Sequence, residues 1–482
     1  MTATTGTTGT TVGTTALRAR FAARLSRLYG AEVPAYTTLV EVAHEVNQRV
    51  LDRHGAAAER LGSIDRVTAE RHGAIRVGSR RELAEVARVF RALGMHPCGF
   101  YDLRDAAPSA IPVVSTAFRP LDRDELAANP FRVFTSMLVP EDRRFFDADL
   151  EERLHTFLSG RQLFAPELLR LADRAVDADG LSESDAEVFL DLATASFALS
   201  HDPVDRAWYA ELEAVSAVAA DIGGVTTTHV NHLTPRVLDI DDLYASMRAR
   251  GIAMIDEIQG PPAWEGPDVL LRQTSFRALA ERRTFREADG ALTEGTLRVR
   301  FGEVEARGIA LTVAGRGRFD ELVGEVDRRL AGDPGLTRAE VAPAVWRDGL
   351  PATEEGLWRE GLGCFGYAVD EAARARPDDA QRRALSDGRT EALVRTGVLR
   401  LEPIVYEDFL PRSAAGIFAS NLTGTGTGSA AGADGGSGAE QGGAVRDLTW
   451  MSDVVGAEVA VPEEVYAAES DASLRTALAS LR

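Results

Sequence analysis

Between Thr15 and Arg60 the apolar residues recur three and four apart. Leu17, Phe21, Leu25 and Leu28 are followed by Leu39, Val42, Val46 and Val50, which predicts helices with one buried face. The texture then changes. Residues 74–77 predict a short strand, 81–93 an amphipathic helix ended by Gly94 in the manner of a C-cap glycine, and 100–103 and 113–118 two more strands. Residues 121–220 predict mostly helix, rich in Asp and Glu. Strand character returns at 229–240 and is followed by a helix over 241–250. Further strands are predicted at 252–258, 269–274, 296–301 and 308–313. A strand–helix–strand–strand unit is thus expected twice, separated by a helical insert. Residues 319–395 predict helix again, and 401–406 a strand.

Composition sets the limits of this domain. Residues 1–15 form a Thr/Gly-rich segment without the basic and apolar regions of a signal peptide, and are expected to be a disordered tail. Residues 423–443 are a Gly/Ser/Ala/Thr run with too little apolar surface to offset the entropy of ordering them, so a flexible surface loop is expected there. The remainder, 16–422 and 444–482, is expected to form one domain with helical insertions. No apolar run is long enough to cross a membrane. The net charge of −20 disfavours a nucleic-acid partner, which would need a basic face. Two cysteines, Cys98 and Cys364, exclude a disulfide framework and suggest a reducing, cytoplasmic setting.

One absence narrows the chemistry. The chain has no lysine, and all 54 of its basic residues are arginine. Schiff-base, pyridoxal-phosphate and P-loop lysine chemistry are therefore closed to it. Of the eight histidines, His72 and the pair His229/His232 stand at the entrances of strands that open the two repeat units. If two similar units pack side by side, these entrances face one mouth, where each unit would offer a neutral imidazole to a metal. Glu303 and Glu305 are the candidate carboxylates from the second unit. Two histidines and one carboxylate form the facial triad of non-haem Fe(II) oxygenases. Arg76 stands four residues past His72, so in a strand the two share a face, and its guanidinium suits a substrate carboxylate. Gln273 and Thr274 are candidate pocket residues.

The second unit resembles the vicinal-oxygen-chelate fold, an α+β architecture in which paired βαβββ modules form a sheet that cups a metal. Its Phe-Gly-Glu-Val-Glu-Ala-Arg-Gly at 301–308 resembles the metal-carboxylate strand of 4-hydroxyphenylpyruvate dioxygenase. That resemblance selects Glu303 over Glu305, and His232 over His229. Most of the chain resembles a narrower family, the 2-oxoadipate dioxygenase/decarboxylases or hydroxyglutarate synthases. The segments that carry the resemblance are Glu-Arg-His-Gly-Ala-Ile-Arg at 70–76, Ser-Thr-Ala-Phe-Arg-Pro at 115–120 and Asn-Pro-Phe-Arg-Val-Phe-Thr-Ser at 129–136. They continue with Asn-His-Leu-Thr-Pro-Arg at 231–236, Leu-Arg-Gln-Thr-Ser-Phe at 271–276, Tyr-Glu-Asp-Phe-Leu-Pro at 406–411 and Ser-Ala-Ala-Gly-Ile-Phe at 413–418. The resemblance implies Fe(II) held by His72, His232 and Glu303, with Ser413 and Arg76 near a 2-oxo dicarboxylic acid. It also implies oxidation of 2-oxoadipate by dioxygen to 2-hydroxyglutarate and carbon dioxide, in lysine breakdown. Arg412 departs from the small apolar residue expected before the serine. A glyoxalase-type isomerase or a non-catalytic small-molecule binding protein on the same fold are the alternatives.

Overall fold

The computed structural model describes residues 11–105, 110–298, 300–410 and 446–481. Ser413, Arg412 and the Gly-rich run at 423–443 lie outside the described residues, as do positions 1–10 of the expected tail. The strands, in chain order, are β1 (Thr11–Val12), β2 (Arg71–Val77), β3 (His96–Asp102), β4 (Val113–Arg119) and β5 (Arg132–Leu138). Next come β6 (Leu181–Ser182), β7 (Val204–Asp205), β8 (His232–Pro235), β9 (Leu271–Phe276) and β10 (Glu281–Arg286). The last four are β11 (Leu292–Leu297), β12 (Gly302–Arg307), β13 (Phe365–Val369) and β14 (Leu399–Pro403).

The two expected units are present, the first with one strand more than the pattern predicted. In the first, β2 leads into the helix Arg80–Arg91 and then into β3, β4 and β5. That helix starts where the Ser79 side chain accepts from the Glu82 amide and the Glu82 carboxylate accepts from the Gly78 amide at 2.6 Å. It buries Leu83, Val86 and Phe90 on one face, and Gly94 follows it in the left-handed region at φ +65°. β5 then returns parallel to β2, with His72 opposite Arg132 and Arg76 opposite Ser136. The spatial order β3-β4-β5-β2 completes a βαβββ module, and β8 adds antiparallel to β2 to give a five-stranded sheet.

In the second unit β8 leads into the helix Ile240–Ala249. Met254 and Gln259 bridge to β9, β9 pairs with β12, and Arg236 bridges to Glu305 of β12 in parallel. This is the same order, so the paired βαβββ architecture is present. Several expectations need correction. Residues 132–138, expected within a helical stretch, are the fourth strand of the first unit. Residues 252–258 make only bridges. The predicted strand at 296–301 gives way to a β10–β11 hairpin before β12.

Alternation along β2 separates two cores. Ile75 and Val77 face the larger one with Val114, Phe118, Val133 and Met137, beneath helices Thr14–Glu32 and Arg80–Arg91. Ala74 faces the other with Ala117, Phe134 and Phe409. The helical insert closes this second side through Leu150, Leu154, Leu212 and Ile222. A third core joins Ile309, Leu311, Leu357 and Phe365 to the helices Val313–Gly332 and Arg338–Gly349. Residues 11–15, assigned to the tail by composition, are instead built into the fold. Val12 is buried in the larger core, β1 pairs with β6, and the first helix begins at Thr14. Among the described residues no helix is long and apolar enough to cross a membrane.

Candidate metal centre and substrate site

The inward face of the sheet is unusually polar for a buried surface. β2 contributes His72 and Arg76, β5 Arg132 and Ser136, β4 Arg119 and Ser115, and β8 His232 and Thr234, all of them buried. β12 adds Glu303, Glu305 and Arg307 from the second unit. A polar set this deep needs partners, because unpaired buried charge is costly. The partners fall into three groups.

The first is the triad. Among the described residues, His72, His232 and Glu303 form a group whose potential ligand atoms lie within 4.8 Å of one another. His232 Nδ1 is 2.6 Å from Glu303 Oε2, and His72 Nε2 is 3.5 Å from Glu303 Oε1. These nitrogens nevertheless make no aligned hydrogen bond. Buried ring nitrogens that converge on a carboxylate without donating to it fit a cation held between them, and the donor set suits a borderline divalent metal. Aromatic rings enclose the group. The centroid of His72 lies 5.3 Å from His232 and 5.0 Å from Phe409, and that of His232 lies 5.2 Å from Phe301. Burial disfavours charge on Glu303, yet His232 and His72 outweigh it and hold its carboxyl at about 2. Burial likewise disfavours a charged His72, but Glu305 and Glu303 prevail and its pKa rises. For His232 burial wins over the pull of Glu303, and its pKa falls.

The second group is a buried ion lattice that anchors the ligand strands. Arg307 grips Glu305 through two bonds of 2.7 and 2.9 Å and donates to the backbone carbonyls of Tyr406 and Asp408. Arg132 donates to Glu70 at 2.7 Å and Glu407 at 2.5 Å, and Arg236 to Glu70 at 3.0 Å. Burial works against Glu305 as an anion, but Arg307, His72 and Arg132 keep its carboxyl at about 2. Held this way, Glu305 is not part of the triad, although its Oε2 lies 2.9 Å from His72 Nδ1 on the far side of the ring. Arg119 and Asp408 form a further bidentate pair at 2.8 and 2.9 Å. From the first helix, the Tyr29 hydroxyl faces the carbonyls of Asn231 at 3.0 Å and Phe301 at 2.7 Å, tying together the segments that precede the two ligands.

The third group surrounds Arg76. Its guanidinium donates to Asp221, from the helix Ala217–Gly223, and Asp221 also accepts from Asn231 Nδ2 at 2.8 Å. His229 is buried against the other oxygen, 3.2 Å from Asp221 Oδ1. The structure therefore separates the two histidines, with His232 in the triad and His229 in the Arg76 network.

Gln273 and Thr274 part company as well. Gln273 is cross-strand from Glu305 and Ser275 from Glu303, so both lie on the triad face of the sheet. Thr274 is paired with Val304 on the opposite face, where Val304 joins the larger core, so its expected place in the pocket is corrected. The period of two puts Ser275 where Thr274 was expected. Asp221, Phe409 and the lattice residues Glu70, Arg132, Arg307 and Glu407 were not singled out from sequence. Several lie inside the motif segments and were overshadowed by the histidines. Asp221 stands in the helical insert with no local signal.

Fold and ligand set together define a class: paired βαβββ modules around a two-histidine, one-carboxylate centre. The chain belongs to the 2-oxoadipate dioxygenase/decarboxylase family, whose model matches residues 21–421. A relative from Mycobacterium tuberculosis described as a 2-oxoadipate dioxygenase/decarboxylase is 58% identical over 407 residues, covering 84% of this chain and 87% of the relative. A relative of the same description from Escherichia coli is 38% identical over 411 residues, covering 84% and 88%. The crystal structure of the hydroxyglutarate synthase in complex with 2-oxoadipate from Pseudomonas putida superposes with a TM-score of 0.82 at 36% identity, covering 98% of this chain and 99% of that one.

Proposed function

We propose that this chain is an Fe(II)-dependent oxygenase that converts 2-oxoadipate and dioxygen into 2-hydroxyglutarate and carbon dioxide. The observation that carries the reading is the convergence of His72, His232 and Glu303 in a chain of this family. The reaction balances: one carbon–carbon bond breaks to release C1 with its own two oxygens as carbon dioxide, and both atoms of O2 enter the shortened acid, one in the new carboxylate and one in the hydroxyl. A bound Fe(II) would supply Lewis acidity toward the 2-oxo acid and electrons toward dioxygen.

The chain's own residues do the rest. His72, His232 and Glu303 would hold the metal through three side chains drawn from two modules. Arg76 offers a guanidinium to the substrate carboxylate that the metal does not hold. Phe301 and Phe409 keep water from the centre, which strengthens every charge interaction there. Gln273 and Ser275 face the same side and are candidate wall residues. A role in lysine breakdown follows from the substrate.

The test is anaerobic loading with Fe(II), followed by oxygen consumption with a panel of 2-oxo acids. Stoichiometric oxygen uptake and carbon dioxide release with 2-oxoadipate are expected, and are expected to vanish in His72→Ala, His232→Ala and Glu303→Ala. Turnover that survives in any of these variants overturns the assignment of the centre.

A further inference from the structure

Asp221 has no part in the triad, yet it is 3% exposed and takes three partners from two separate segments. Arg76 donates to it from β2, and Asn231 Nδ2 donates to the same oxygen at 2.8 Å from the segment entering β8. His229 closes the other oxygen at 3.2 Å. The backbone around the pair is tied as well: Thr228 donates its hydroxyl to the Arg76 carbonyl at 2.7 Å, and the Asn231 amide bonds to the Ala74 carbonyl at 2.9 Å. A long arginine side chain carries much rotamer freedom, and a buried one without a fixed anion also carries a large desolvation cost. Asp221 removes both difficulties on the strand face that His72 occupies.

We infer that Asp221 is a positioning residue that aims Arg76 at the distal carboxylate of a 2-oxo dicarboxylic acid, and so gives the site its preference for dicarboxylates. This inference rests on the proposed reading of Arg76 as the substrate-carboxylate residue. Asp221 comes from the helical insert between the two modules, so the insert contributes to specificity as well as covering the sheet. A merely structural ion pair would affect all substrates alike. A positioning residue affects only those with a second carboxylate.

The experiment compares iron-loaded wild-type, Asp221→Asn, Asp221→Glu and Arg76→Gln chains. 2-Oxoadipate is the substrate, and 2-oxohexanoate, which has the same chain length without the distal carboxylate, is titrated against it as a competing acid. In Asp221→Asn the KM for 2-oxoadipate is expected to rise about tenfold with kcat within about threefold, because a charge-assisted contact is misplaced. The inhibition constant of 2-oxohexanoate and the iron content should stay within about twofold of wild type. Asp221→Glu keeps the charge but shifts the carboxylate by one methylene. The same selective loss is expected there, which keeps the test open if the Asn variant folds poorly. Equal losses for both acids, unchanged kinetics, or a lower KM in the variants (the sign that Asp221 competes with substrate for Arg76) would overturn the inference. If Arg76→Gln itself fails to distinguish the two acids, it is the reading of Arg76 that falls.

Discussion

At the scale of single residues, the centre depends on glycine as much as on its ligands. Gly302 precedes Glu303 and is cross-strand from Phe276. A Cβ at Gly302 would lie 1.8 Å from Phe276 Cε1 and 2.4 Å from Cζ, and that ring is buried. Gly302→Ala is therefore expected to destabilise the metal-free protein by about 1–3 kcal/mol, as overpacking does, and to displace Glu303. Urea unfolding and calorimetric metal titration check the two effects, and an unchanged unfolding midpoint would show that Phe276 yields freely. Single residues also mark the limit of what the sequence makes legible. The choice of His232 over His229 and Glu303 over Glu305 is readable through family motifs. The place of Thr274 is not, because its face depends on register with β12, which no local pattern specifies. Asp221 escapes for a similar reason: its partners lie far away in the chain.

At the scale of elements, the strands with alternating or flanked apolar runs are readable and β5 is not. Arg132-Val133-Phe134-Thr135-Ser136 is buried on both faces, and its polar members are neutralised by residues far along the chain, so it lacks a half-buried strand's clean alternation. The same lattice dictates an acid response. Glu303 and Glu305 are held at about 2 in the fold against an ordinary 4.5, and Glu70, Glu407 and Asp408 are also lowered, burial in each case being outweighed by facing cations. A carboxyl depressed in the fold contributes stability above its unfolded pKa and loses it as pH falls through the folded value. The metal-free protein should therefore keep these contributions above about pH 4.5 and lose stability progressively toward pH 2. Thermal unfolding across that range measures it. A midpoint that does not move between pH 5 and pH 3 would contradict the paired state of these carboxylates.

At the scale of the whole molecule, the triad bridges the two modules, with His72 on β2 and His232 and Glu303 on β8 and β12. A metal there would act as a clamp between modules that also meet through the β2–β8 pairing and the ion lattice. Saturating Fe(II) under anaerobic conditions is expected to stabilise the fold by about 4 kcal/mol at a thousandfold excess over Kd, raising the unfolding temperature by several degrees. His232→Ala should abolish the shift, and a rise of equal size in that variant would place the metal elsewhere. The wide spacing of the ligands also has a meaning in time. His72 leaves the ribosome roughly 230 residues before Glu303, an interval of about 10–50 seconds at ordinary synthesis rates of about 5–20 residues per second. Throughout that interval the nascent chain lacks at least one of the three ligand residues, so a metal that needs all three could be held only once the second module has been made and has closed onto the first.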